Sequence, residues 1–442
     1  DPSKPAYPQA KGYINAHLYD GEIEVVEAFL PGERDQEILI TAHLCHPCPS
    51  ANDNASGVAA GMEALMVLHE LIEKGELKPL ERGIRVIFMP EFTGTYAWLD
   101  DIGPEGRQKI KAGLNLDMVG ARQGWGYGPL TLSRLPHALP SLAWDLALYV
   151  MDQIKKDGPR ITDDLYVSMI HVMQASFEGG SDNFILSDPT VRIPTPMLGQ
   201  WPDLSYHTSK DTIDNIDPYV LGKSSAFAAA YAYCLANLQT GSIPKLLIRG
   251  RQDYLQKSYR HRYDLIENRQ DSQQIYRKAW KCYEWRIASN TAYLDFFEEE
   301  RDEIEDTVFD ENQWLDQLTD GELERFINDY YPDFVLIPSP PHQVYDYVPK
   351  RNYIGPICRM ADQIGDDRQK AEAYEALRKI PKEKLISFWN IEALIQYYID
   401  GKRTVWEIAE EVRSETSEGS PELVHAYVQF LISLGLVEVV SE

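Results

Sequence analysis

The sequence predicts an α/β fold: a mixed, mostly parallel sheet covered on both faces, followed by a mostly helical region and a small C-terminal winged-helix-like domain. Three observations predict it. Between residues 22 and 238, short apolar runs of strand length alternate with stretches whose apolar positions recur at helical spacing, as in βα units. Successive strand-like runs end on His43, Glu91 and Asp117, and ligands of open α/β sheets sit beyond the carboxyl ends of strands. After Gly241 the text becomes charged, aromatic and largely helical in pattern.

Taken in order, residues 1–21 are rich in Pro, Gly and Tyr and read as irregular. Glu22–Leu30 reads as a strand, and the turn Pro31-Gly-Glu-Arg-Asp makes it a hairpin partner for the next one. Ile38–Ala42 has the length and branching of a buried strand. It spills into a Pro/Ser/Asn loop holding His43, His46 and Asp53 and closes on Asn54-Ala-Ser-Gly57; Val58, Met62, Leu65 and His69 then mark a helix over about 55–74. Ile84–Met89 is a third strand, running into Pro90-Glu91-Phe92-Thr-Gly94, and Ala112–Gly120 is a fourth, carrying Asp117. Residues 139–157 form an amphipathic helix through Leu142, Leu146, Tyr149, Val150 and Ile154. Glu178-Gly-Gly-Ser181-Asp182-Asn183 is a loop, Pro194–Leu198 a proline-limited strand, and Tyr206-His207-Thr-Ser-Lys-Asp211-Thr212 a polar loop before a helix over about 219–238. We divide the chain into residues 1–245, the sheet domain; 246–380, a connecting region with a linker signal at Ile337–Pro341; and 381–442, the winged-helix-like domain. In the last, Thr404 followed by Glu407 forms a capping box, and three short helices precede a closing strand.

The composition limits the function. At 442 residues with 44% apolar and 25% charged residues, the chain has the make-up of a soluble globular protein. A net charge of −26 argues against nucleic acid or an anionic membrane surface as partner. Residues 391–442 hold ten acidic and three basic side chains, the wrong sign for DNA, so we expect docking or homo-oligomerisation from this segment instead. Five cysteines in no framework spacing, no 18-residue apolar run and no signal-like start point to a cytoplasmic protein. The sequence starts at Asp1 rather than Met, so a preceding piece is expected. Cys45-His-Pro-Cys48 has the spacing of a redox pair but does not open a helix directly.

One histidine after a strand is usually structural, and a carboxylate at a strand end is usually a loop cap. His43, His46 and Asp53 within one short loop instead suit zinc or a similar divalent ion. The set His43, Asp53, Glu91, Asp117 and His207, with Asp53-Asn-Ala-Ser-Gly57 and His207-Thr-Ser-Lys-Asp-Thr212, resembles the M28-type zinc aminopeptidases over roughly residues 22–238. The C-terminal segment resembles the winged-helix domain of a bacterial subgroup of such peptidase-like proteins. The resemblance implies a three-layer α/β/α fold and one or two Zn²⁺ per chain. In it, one zinc is held by a His and a Glu, the other by an Asp and a His, with a further Asp bridging. His43 matches the first His, Asp53 the bridging Asp, Asp117 the second Asp, His207 the last His and Glu91 the general base. Two positions depart from the pattern. Phe92 stands where a ligand Glu is usual, and Cys45 replaces the Asp that orients the first His. This leaves Asp53, Asp117 and His207 intact and the second site damaged. His46 is a replacement ligand for that site, a substitute for His43 in a single-metal site, or a loop cap.

The function expected is that of a zinc exopeptidase, an aminopeptidase cleaving N-terminal residues of peptides or aminoacyl amides, with Glu91 as general base and Asp182 or Glu178 holding the substrate ammonium. A single-zinc amidohydrolase or a glutaminyl-cyclase-like enzyme is the alternative, motivated by Phe92; a non-catalytic binding protein is the third. Aromatic residues from Trp280 to Tyr347, including Trp285, Phe296, Phe297, Trp314, Tyr330 and Tyr331, are expected to form core between domains rather than a roof over the site.

Overall fold

The computed structural model describes residues 11–15, 17, 19–22, 24–156, 158–160, 162, 168–268, 272–330, 344–357, 388–416 and 418–440. Its first half comprises β1 (Val26–Leu30), β2 (Arg34–His43), α1 (Gly57–Glu73), β3 (Arg82–Met89), α2 (Thr93–Lys109), β4 (Ile110–Asp117), β5 (Leu130–Ser133), α3 (Leu142–Ile154), β6 (Val172–Ala175), α4 (Asn183–Leu186), β7 (Met197–Gln200) and α5 (Pro218–Ala236). Seven strands make one mixed sheet in the order β1-β3-β2-β4-β7-β5-β6. β3, β2, β4 and β7 run parallel through its centre, β1 and β5 pair antiparallel to their inner neighbours, and β6 pairs parallel to β5.

The expected hairpin between the first two strands does not form. β1 pairs with β3, Val26 opposite Phe88, and β2 lies between β3 and β4. Burial explains the choice. Ile38, Leu39 and Ile40 are all fully buried, and only a central strand buries both faces. β1 is exposed along most of its length and suits an edge. The sequence reading also left out β5, β6, α2 and the four-residue helix α4. β5 and β6 are four residues each, and α2 is broken at Gly103 (φ +61°) before Pro104, so it reads as punctuation rather than as a helix.

The alternation of strand side chains assigns the two faces. Ile38, Ile40 and Ala42 of β2, Ile84 and Val86 of β3, and Leu114 and Leu116 of β4 join one apolar core with α1, α3 and α5. Leu39, Ile87 and Met89 join another with Trp98 and Leu99 of α2 and Phe184 of α4. The arrangement is thus three-layered. Ala51–Glu73 has the length and apolar composition of a membrane span. In this fold it is sheet cover: Ala60, Ala64 and Leu68 are buried in the first core.

The remaining elements are α6 (Ile243–Asn268), α7 (Ser272–Thr291), α8 (Tyr293–Phe296), α9 (Arg301–Tyr330), β8 (Pro349–Arg351), α10 (Phe388–Tyr398), α11 (Val405–Thr416), α12 (Pro421–Ser433) and β9 (Val437–Val439). A buried bidentate pair pins α7 to α3: Arg286 donates to both oxygens of Asp145 at 2.7 Å, and the Tyr293 hydroxyl donates to the same carboxylate. Trp285, Phe296 and Phe297 are buried core, whereas Trp314 and Tyr330 are exposed. Tyr331 and the linker signal at 337–341 lie outside the described residues.

α10, α11 and α12 are the three C-terminal helices read from the sequence, and the capping box forms: Thr404 N–H donates to Glu407 at 2.8 Å and Glu407 N–H to the Thr404 hydroxyl at 3.2 Å. The closing strand β9 takes its partner, β8, from ahead of these helices rather than from a hairpin after them. The helices share the second core with the sheet. Arg351 pairs in buried bidentate fashion with Asp188, just beyond α4, and the Tyr397 hydroxyl donates to the Phe184 carbonyl.

Candidate metal centre

The two motif blocks hold one another and the end of β4. Asp211 accepts the backbone N–H groups of Asn52 (2.8 Å) and Asp53 (2.9 Å), so the second block sets the backbone of the first. Asn54 donates to the Leu116 carbonyl and accepts from Met118 N–H; Asn52 accepts from Gly120 N–H, and the Ser56 hydroxyl accepts from Val119 N–H. Every polar side chain of Asn52-Asp-Asn-Ala-Ser56 except that of Asp53 is thereby bound to backbone. Gly57 closes the block because a Cβ there would lie 2.4 Å from both Asn54 Oδ1 and the Leu116 carbonyl.

Asp53 is left to face the imidazoles. Its Oδ1 lies 3.1 Å from His43 Nε2; its Oδ2 lies 2.9 Å from His46 Nε2 and 3.2 Å from His207 Nε2. Asp117 Oδ1 is 3.4 Å from His43 Nε2. The ligand atoms fall into two groups, His43–Glu91–Asp117 and His46–Asp53–His207, each within 4.8 Å. This grouping differs from the pairing implied by the resemblance: Asp117 lies with His43, and His207 with His46. All five sequence-derived ligand candidates and Glu91 therefore come together.

Imidazoles and carboxylates in the cluster shift one another. Burial opposes a charge on His43, but Asp117 and Asp53 outweigh it and raise its pKa. Burial opposes the charge on Asp53, and the surrounding imidazoles outweigh it in turn and lower its pKa. Glu91 is pushed up to about 8 by burial and then by the Asp117 charge. Asp117 Oδ1 is buried and makes no hydrogen bond of good geometry, its partner being His43 Nε2 at 3.4 Å; a buried carboxylate in that state is stabilised by a cation. Three Nε2 atoms and clustered carboxylates are a donor set that fits zinc.

The sequence places Phe92 where a ligand would stand, and the backbone explains why it is none. Phe92 adopts φ +56°, a strained region for a bulky residue, and its ring meets Phe184 edge-on at 6.0 Å. Its N–H donates to Asp182 (2.9 Å), which also accepts the Thr95 hydroxyl (2.5 Å). Asp182 is fully buried. It therefore supports the Glu91 turn and does not reach a substrate ammonium, contrary to the expectation from sequence. Burial pushes its pKa up to about 6. Glu178, on the turn before α4, is exposed. His207 and Met118 also have positive φ (54° and 59°), so strain gathers around the cluster, as it does at functional sites.

Two contributors escaped the sequence reading. Asp203 accepts the Asn52 amide (2.8 Å), and the Tyr206 ring stacks on His207 with centroids 3.7 Å apart. Burial, and then the charge of Asp53, push the Tyr206 hydroxyl up to about 12. Neither has a spacing signal; both lie on the loop that follows β7.

The chain resembles the M28-type zinc aminopeptidases. A domain family of unknown function, DUF4910, matches residues 6–138. A Clostridium acetobutylicum protein, provisionally described as a polysaccharide biosynthesis protein with an aminopeptidase-like domain, is 35% identical over 107 residues, 24% of this chain and 23% of that protein. The chain thus matches less than a quarter of that curated relative. Among solved structures, a provisionally described peptidase from Clostridium acetobutylicum is 15% identical with a TM-score of 0.38, covering 94% of this chain and 60% of that one. A zinc aminopeptidase from Bacillus subtilis is 20% identical with a TM-score of 0.38, covering 47% of this chain and 49% of that one.

Proposed function

We propose that the protein is a zinc-dependent exopeptidase that removes N-terminal residues from peptides or aminoacyl amides. The observation that carries this is Asp53, whose two oxygens face two separate ligand groups, with Glu91 beside one of them. His43, Asp117 and Asp53 Oδ1 would hold one ion; His46, His207 and Asp53 Oδ2 would hold the other. Bound zinc supplies Lewis acidity toward the scissile carbonyl and the attacking water. Glu91 takes the proton from that water and returns it to the departing amine. The Cys45 and Asp182 contacts to the Glu91 and Phe92 amides keep the base turned to the cluster. Of the two acids expected to bind the substrate ammonium, exposed Glu178 is the one open to it. Glu91→Gln should lower turnover on aminoacyl amides by about 10²–10⁴-fold while zinc per chain, by elemental analysis, stays unchanged. Activity that survives would remove Glu91 from this role.

A second reading rests on the group His46–Asp53–His207 alone, two imidazoles and a carboxylate, which is a ligand set sufficient for a single catalytic zinc. It makes the enzyme an amidohydrolase or a cyclase of N-terminal residues. Product analysis separates the two: free amino acids support the exopeptidase, cyclised or deacylated products the single-zinc enzyme.

A further inference from the structure

Of the two cysteines in the Cys-x-x-Cys loop, one holds more than the Glu91 amide: its sulfur sits between the two residues the chemistry above needs. Cys45 Sγ accepts the backbone N–H of Glu91 at 3.1 Å and lies 3.9 Å from His43 Nδ1. His43 Nε2 faces the carboxylates. As a metal ligand Nε2 would be unprotonated, which would place the ring proton on Nδ1, directed at the sulfur. Two N–H donors, one from the end of β2 and one from the turn after β3, converge on a single acceptor. The strands themselves are in register here, His43 opposite Met89, and Leu44 N–H donates to the Met89 carbonyl at 2.7 Å. Beyond that pair the sheet ladder ends, and the sulfur contact ties the two loops where the ladder no longer does.

We propose that Cys45 is a positioning residue: one sulfur atom fixes the base Glu91 and the ligand His43 relative to each other. The inference rests on the metal reading of His43 and Glu91. It also separates the two cysteines. Cys48, three residues on, contributes only its backbone carbonyl, to the Ser50 hydroxyl at 3.2 Å, and both thiols are exposed. Cys45 is therefore open to reagents while its sulfur is in use, and the reagent reads out the role directly. Methyl methanethiosulfonate transfers its methylthio group to a cysteine thiolate and releases methanesulfinate; dithiothreitol reverses the change by forming its own cyclic disulfide.

The test measures zinc affinity by competition with a chromophoric chelator, together with kcat and KM, for wild type, Cys45→Ala, Cys45→Asp and Cys48→Ala. The expected result for Cys45→Ala is zinc affinity weaker by about 10- to 100-fold, a lower kcat at unchanged KM and an unchanged melting temperature. Cys45→Asp, which restores an acceptor, recovers the affinity. Methylthiolation reproduces the Cys45→Ala defect in wild type and in Cys48→Ala, reversibly with dithiothreitol, and leaves Cys45→Asp unaffected. Wild-type zinc affinity in Cys45→Ala overturns the proposal alone. A wild-type protein that binds no zinc overturns the metal reading, and this inference with it.

Discussion

The two halves of the candidate centre are built differently. His43 and Asp117 stand at the ends of β2 and β4 and are nearly sealed, His43 only 3% exposed. His46 and His207 come from loops, and the His207 side chain is 55% exposed. Asp53 joins them, its backbone held by Asp211 rather than by the sheet. The strand-borne half is set in place by the sheet itself. The loop-borne half depends on hydrogen bonds between two polar segments.

The comparison can be broken at its joint. Asp53→Ala removes the oxygens that face both halves, so zinc should fall from about two per chain toward none and turnover should be lost, a drop beyond about 10³-fold; elemental analysis beside a turnover assay checks it. Next in size is the contrast between the halves. His43→Ala should unload the buried ion, leave Asp53 and Asp117 as uncompensated buried carboxylates and lower thermal stability. His46→Ala should lose one zinc with the fold intact. Adding Phe92→Glu to His46→Ala should not restore that zinc, because the position-92 backbone directs the side chain toward Phe184; a second zinc regained in the double variant would refute that geometry.

Asp211→Ala sharpens the comparison without touching a ligand. It strips two amides of their acceptor, at a cost of about 1–3 kcal/mol each if they stay buried. The expected result is a lower melting temperature and preferential loss of the zinc held by His46 and His207. The smallest effect lies away from the centre, at Glu415 of α11. Burial pushes this carboxyl up to about 7, although Arg134 and the His137 N–H oppose the shift. A pKa raised on folding means the stability contributed by neutral Glu415 is complete below about 4.5 and is lost as pH rises through 7. Wild type should therefore lose roughly 1–3 kcal/mol between pH 5 and 8 that Glu415→Gln retains, as read from denaturant melts at the two pH values.

What could be read from the sequence follows from the same contrast. Ile38–Ala42, Ile84–Met89 and the ends His43, Glu91 and Asp117 were legible because burial on two faces leaves an unbroken apolar run that stops where the chemistry begins. His46 was legible as a candidate but not as a partner of His207, since that contact joins residues 161 positions apart through two loops. Asp182 was misread because an acidic loop gives no sign of burial; only the fold shows its carboxylate under Phe92 and Thr95. The hairpin was misread because a turn signal between two strands says nothing about which neighbour buries the second one better. The C-terminal helices were readable from the Thr404–Glu407 cap, while their union with the sheet's second face required contacts no local pattern encodes.

That union limits where the molecule can be cut. α4 is only four residues long, yet Asp182 at its head braces the turn that carries Glu91, while Phe184 and Asp188 lean on Tyr397 and Arg351. The tail of the chain is thus a buttress for the floor of the candidate centre. A protein shortened to residues 1–245 would keep every ligand and the base and lose the wall behind them. It should bind its metal and work badly, a fault that no inspection of the ligands would explain.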